Sequence, residues 1–208
     1  MMNVVEERMK PYICIQKILE KEYFLENLYP LMYSSENESI LKEQNLVYEK
    51  VENLLVVPFS DLEYAIIKIN FGILSALNLT KEEVLKKAFE NLNNILEIKT
   101  ISEMISEIIE IPIPADNEIF VISNSKNRYG ASAVLLPKTY EILRQKLGEK
   151  LVILPSSIHE CLAVRYDEER LDDFLEMVRE VNKNEVLEEE RLSNHIYSLD
   201  ATGFSILK

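Results

Sequence analysis

Apolar positions along this chain fall into two rhythms, a three-to-four-residue spacing that marks helices and short β-branched runs that mark strands. Pro11 stands where the first turn of a helix tolerates proline, and Ile15, Ile18, Leu19 and Glu22 follow at helical spacing, although residues 12–15 alone also read as a short strand. The aromatic-rich stretch 23–33, interrupted by Pro30, predicts an edge strand, and 35–44 a short polar helix. Residues 54–57 and 62–70 are rich in β-branched side chains and are separated by Pro58, Phe59, Ser60 and Asp61, which predicts two neighbouring strands.

Two capping boxes punctuate the middle of the chain. In the first, Thr80 accepts from the amide of Glu83 while that glutamate reaches back to the threonine N–H, ahead of an apolar stripe of Val84, Leu85, Ala88, Phe89 and Leu92. The second, Thr100 with Glu103, opens a helix expected to bury Met104, Ile105, Ile108 and Ile109 and to stop before Pro112. Residues 119–122 read as a buried strand followed by a polar turn at 123–129. Pro137 opens a helix turning Tyr140, Leu143 and Leu147 inward, with Gly148 as its left-handed cap. Strands at 151–154 and 158–164, joined by Pro155, Ser156 and Ser157, predict an antiparallel hairpin. Asp167 caps a helix carrying Leu171, Phe174, Leu175 and Val178, and 195–199 adds a last strand.

Strands before, between and after helices, with a hairpin among them, predict an α+β fold: a largely antiparallel sheet with helices packed mainly on one face, a parallel doubly wound sheet being the alternative. A chain of 208 residues, 47% of them hydrophobic, builds one core unaided, so a single domain spanning 1–208 is expected, with 1–45 as a less integrated segment. Lacking a long apolar run, and with charges where a secretory core would stand, it is expected to be cytoplasmic without membrane partners. Cys14 and Cys161 each lie in an apolar run, which suits buried thiols.

Charge narrows the function classes. A net charge of −13 repels phosphate backbones and argues against nucleic-acid binding. It is unevenly placed: 167–190 holds eleven acids against three bases, and 124–150 six bases against two acids. Two oppositely charged surfaces would orient a protein partner or a second copy of the chain in a homodimer. Only four glycines occur, Gly72, Gly130, Gly148 and Gly203, so no glycine-rich phosphate cradle exists and no cofactor is expected.

The tightest polar cluster is Ser156, Ser157, His159 and Glu160, with Cys161 beside it, and a hydroxyl near an imidazole suggests a nucleophile and its base. Against that stand the absence of a nucleophile elbow, the ordinariness of serine in a turn, and strand alternation, which would put His159 and Cys161 on one face and Glu160 on the other. His159 and His195, completed by Glu160 or Asp200, do not form a recognised metal spacing, so no metal is expected. Asn124, Arg128, Tyr129 and Gly130 lie on a strand-to-helix connection expected to face the 155–159 turn, a place where binding surfaces are often built.

The runs LVILPSSIHEC at 151–161, Ile122-Ser123-Asn124 with Tyr129-Gly130-Ala131, Val178-Arg179-Glu180-Val181-Asn182 and LSNHIY at 192–197 resemble an uncharacterised family of Gram-positive bacterial proteins known only as a domain of unknown function. The resemblance covers the C-terminal half and implies a shared fold and a bacterial cytoplasmic setting, without an activity, cofactor or site residue. The function expected from the residues is a non-enzymatic binding or regulatory module recognising a protein partner. The alternatives are a small hydrolase using Ser156 or Ser157 with His159, and an acidic DNA mimic built on 167–190.

Overall fold

The computed structural model describes residues 20–62, 65–109 and 119–208, and these form seven α-helices and ten strands. The first half runs α1 (Lys21–Glu26), β1 (Leu28–Ser34), α2 (Glu38–Glu43), β2 (Glu49–Val51), β3 (Leu54–Leu62), β4 (Ala65–Lys68), α3 (Phe71–Leu77) and α4 (Lys81–Asn94). The second half runs β5 (Leu96–Thr100), α5 (Ile101–Ile109), β6 (Ile119–Asn124), α6 (Pro137–Leu147), β7 (Leu151–Ser157), β8 (Glu160–Arg165), α7 (Leu171–Asn184), β9 (Tyr197–Asp200) and β10 (Gly203–Ile206). Most of the helix expected from Pro11, the stop at Pro112 and Cys14 lie outside the described residues.

The fold is α+β, as expected, but its strands divide into two antiparallel sheets instead of one. In the smaller, β3 is central, with β1 along one edge and β2 and β4 sharing the other. The larger has the order β10-β9-β7-β8-β6-β5.

Pro58 does not separate two strands; β3 runs straight through it. Its Cα partner across β1 is Pro30, and its carbonyl accepts from the Ile69 amide on the opposite side. The nitrogen of a strand residue points the same way as its carbonyl, so the missing N–H falls between the end of β2 pairing at Val56 and the start of β4 pairing at Phe59. Pro30 lies in an edge strand, as predicted, but the first part of the 23–33 stretch is helix α1. Phe24 is fully buried there, and the Asn91 amide donates to the carbonyls of Leu25 and Glu26, which end the helix, and to that of Leu28, which begins β1.

Both capping boxes form, Thr80 with Glu83 and Thr100 with Glu103, and the threonine amides donating to them hold both carboxylates below their ordinary pKa. Helix α4 buries Val84, Ala88 and Leu92 as expected. Of the residues helix α5 was expected to bury, Ile105 is 41% and Ile109 47% exposed. The helix packs against the strands β5 and β6, and Ser102, hydrogen-bonded to Thr100, is buried there.

One main core joins the two sheets. Leu31, Met32, Leu54 and Phe59 of the smaller sheet meet Ile122, Ile153, Ala163 and Tyr197 of the larger, and the 3-10 turn Ala131–Leu135 and helix α6 fill the space between. Of the 1–45 segment, Phe24, Leu28, Leu31, Met32 and Leu41 are buried. The opposite face of the larger sheet packs Val152, Leu154 and Val164 against Leu171, Phe174 and Val178 of α7, side chains worth roughly 1.5–3 kcal/mol each when buried.

The hairpin β7–β8 is present, but Pro155, Ser156 and Ser157 belong to β7, with a bulge between Pro155 and Ser157. Ser157 pairs with Glu160, so the connection is the two-residue turn Ile158–His159. His159 therefore sits at the tip of a hairpin and not on a strand face beside Cys161, a position that lets it reach other elements.

Candidate functional site

The loop from Asn124 to Gly130 connects β6 to the turn at Ala131, and its shape begins with Asn124. That buried side chain accepts from the Lys126 amide at 2.9 Å and donates to the Arg128 carbonyl at 2.9 Å, supplying bonds that a strand would take from a neighbour. Two non-glycine residues then adopt left-handed backbone, Asn127 at φ +54° and Tyr129 at φ +55°. Asparagine tolerates this conformation; a tyrosine there costs on the order of 1 kcal/mol and persists only when its surroundings impose it.

His159 supplies much of that constraint. The Tyr129 N–H donates to its Nδ1 at 3.1 Å, the Gly130 N–H and the Ser123 hydroxyl both donate to its carbonyl at 2.9 Å, and the Tyr129 ring lies 5.3 Å from the imidazole. A backbone N–H can only donate, so Nδ1 presents its lone pair, and in the neutral ring the proton is on Nε2. That Nε2 lies 3.2 Å from the Glu190 carboxylate, and the Ile158 amide donates to the Glu190 carbonyl at 2.9 Å. Both imidazole nitrogens are thus occupied in bracing the loop, the hairpin tip and residue 190.

Gly130 fits because nothing larger can. A Cβ there would stand 2.5 Å from the Ser123 hydroxyl and 2.9 Å from both the Asn124 nitrogen and the His159 carbonyl oxygen. On the far side, Asp61 at the end of β3 is nearly buried and holds both loop cations, Lys126 at 2.7 Å and Arg128 at 2.6 Å. Lys126 also lies 4.2 Å from the centre of the Tyr29 ring, and Phe59 meets Tyr129 edge to face. Arg128 remains 47% exposed, held in place by a buried carboxylate.

Of the four loop residues, Tyr129 and Gly130 face the hairpin tip as expected, whereas the Asn124 side chain bonds within the loop and Arg128 turns away to Asp61. Ser156 donates to Glu160 at 3.4 Å, and the Ser157 hydroxyl accepts from the His159 amide at 3.1 Å; neither is hydrogen-bonded to the imidazole. Cys161 is buried against the Ala131 carbonyl, and burial pushes its thiol up to about 12, so it stays protonated at neutral pH. Among the described residues no three His, Cys, Asp or Glu side chains converge on a metal position. Sequence reasoning missed Asp61, Phe59 and Glu190. A lone acid inside the apolar run 54–62 was the available signal for the first, since buried carboxylates need partners.

Fold and site define an α+β protein of two antiparallel sheets whose strand-to-helix loop is braced from one side by a hairpin-tip histidine and from the other by a buried aspartate. The chain belongs to a family of unknown function, DUF5688, whose model matches residues 1–201. The match extends over the N-terminal half as well as the C-terminal segments that first suggested the kinship. Comparison with curated proteins and with solved structures finds no match. No helix among the described residues is long and apolar enough to cross a membrane.

Proposed function

We propose that this chain is a non-enzymatic, cytoplasmic binding module that recognises an acidic surface of a protein partner through the loop 124–130. The observation that carries the reading is the clamp on Arg128: an exposed guanidinium fixed by the nearly buried Asp61 on a loop whose left-handed Tyr129 is held by His159. A cation ordered before the encounter loses little side-chain entropy on binding, and strained backbone persists where a surface must keep its shape. In a chain of net charge −13, such a cation also discriminates among partners by charge. The hydrogen bonds already made by His159, Ser156 and Ser157 favour this reading over hydrolysis.

Quantitative cross-linking in the native cell, followed by purified binding measurements, tests it. Arg128→Ala is expected to weaken capture of a specific partner about tenfold, in the range of a desolvated charge contact, while Arg179→Ala on the outer face of α7 leaves it unchanged. Sedimentation velocity identifies the case in which the partner is a second copy. Ester or peptide turnover that vanishes in His159→Ala at unchanged melting temperature would overturn the proposal in favour of an enzyme.

A further inference from the structure

At the end of the larger sheet where β8 finishes, away from the loop 124–130, lies a cleft of about 400 Å³ between α7 on one face and the end of α6 on the other. Its floor is apolar, formed by Leu154, Leu162 and Val164 of the sheet with Ile119 at the start of β6, and Phe174 and Met177 of α7 form one wall. Three cations line it, Lys146, Arg165 and Arg170. Each is positioned by an uncharged group: Arg165 Nη2 donates to the Lys146 carbonyl at 3.2 Å, the Arg170 guanidinium lies 4.7 Å from the centre of the Phe174 ring, and the Lys146 ammonium 5.7 Å from that of Phe120.

Their surroundings do not neutralise them. Among the described residues none of the three forms an ion pair within 4.0 Å, in a chain whose 36 acids outnumber its 23 lysines and arginines. Asp167 is the one carboxylate lining the cleft, and its Oδ1 accepts from the Glu169 amide. Glu103, near enough to feel the charge of Lys146, is bound to the amide and hydroxyl of Thr100. Three held cations at the rim of an apolar cleft this size match a small amphipathic anion. Guanidinium groups pair with a carboxylate through charge-assisted bonds while the floor takes an alkyl chain, an arrangement usual for small-molecule sites.

We propose that this cleft binds a free carboxylate bearing an apolar chain, the anion lying among Lys146, Arg165 and Arg170 and the chain along Leu162, Phe174 and Met177. The site is separate from the loop 124–130, and binding there is independent of the partner reading.

Isothermal titration calorimetry of the full chain with sodium decanoate tests it. One saturable site with a dissociation constant below about 1 mM is expected, a modest affinity for a ligand of this size. Acetate, which lacks the chain, and decyltrimethylammonium, which carries the opposite charge, should give no saturable heat. Arg165→Gln combined with Arg170→Gln should weaken decanoate at least about tenfold, charge-assisted bonds being the stronger class. Met177→Glu, at a side chain 47% exposed and therefore tolerant of substitution, should abolish binding by placing a carboxylate in the wall. Amide shifts should fall at residues 119, 146–147, 154 and 162–177, which line the cleft, and leave 124–130 unchanged. The proposal is overturned if decanoate shows no saturable heat up to about 5 mM, weaker than any selective carboxylate site. It is equally overturned if the cationic detergent binds as well, or if the double variant, with an unchanged circular dichroism spectrum, keeps full affinity.

Discussion

Gly130→Ala is expected to lower the stability of the fold by about 2–3 kcal/mol, the range for forcing extra atoms into a packed site. At φ −95° the backbone of Gly130 is ordinary, so no left-handed strain enters the argument. The loss comes from space, because the new methyl would collide with the Asn124 nitrogen and the His159 carbonyl oxygen, both at 2.9 Å and both backbone, which no rotamer change can relieve. Moving either strand end would break the bonds from Ser123 and Gly130 to His159 and release Tyr129 from its imposed conformation. Urea denaturation should show a lower midpoint at unchanged slope. Gly72→Ala is the contrast. Its Cβ would meet the Asn70 side chain, whose oxygen at 3.2 Å must give by a few tenths of an ångström while capping the Ile73 amide, so the gain in helix propensity is offset and stability should change by less than about 1 kcal/mol.

The larger effect belongs to Tyr197→Ala, expected to cost about 3–5 kcal/mol as a fully buried aromatic truncation. Tyr197 is 0% exposed, stacks on Phe204 with ring centres 4.6 Å apart, and donates its hydroxyl to Asn53 at 2.6 Å. Asn53 lies between β2 and β3, so this side chain ties the larger sheet to the smaller. Tyr197→Phe retains the ring and should cost about 1 kcal/mol, the share of the hydrogen bond. Alkali should act on the same residue. Burial raises its hydroxyl from an ordinary 10 to about 12, so the contribution of the neutral phenol is complete below pH 10 and is lost as pH rises through about 12. Chemical denaturation of both variants and the parent between pH 8 and 12 separates packing from titration.

What could be read from the sequence was local. The capping boxes at Thr80 and Thr100 announce themselves within four residues, and the β7–β8 hairpin follows from two apolar runs at short separation. Elements defined by distant contacts were hidden. Helix α1 is six residues long, too short to form alone, and is completed by an asparagine more than 60 residues away. Pro58 reads as a strand breaker until the gap between β2 and β4 is known, and three-to-five-residue edge strands such as β2, β5 and β10 carry little periodicity.

The same division holds at the site. Asn124, Arg128, Tyr129 and Gly130 were legible because a polar loop with one glycine between strand and helix is unusual in a chain so poor in glycine. The role of His159 was not, since it depends on the turn falling at Ile158–His159, one bulge further along than the serines suggest. Asp61 sits 65 residues from Lys126 and 67 from Arg128, a separation that charge counting along the chain cannot bridge.

The central claim, that His159 braces a recognition loop instead of serving as a base, rests on where its ring proton lies. Long-range nitrogen–proton correlation spectra of the imidazole at neutral pH report this directly. A neutral ring protonated at Nε2, with a lone-pair nitrogen at Nδ1 and a Tyr129 amide protected from exchange, is the predicted result. A ring protonated at Nδ1, or a Tyr129 amide exchanging as fast as those of an unconstrained loop, would contradict the account.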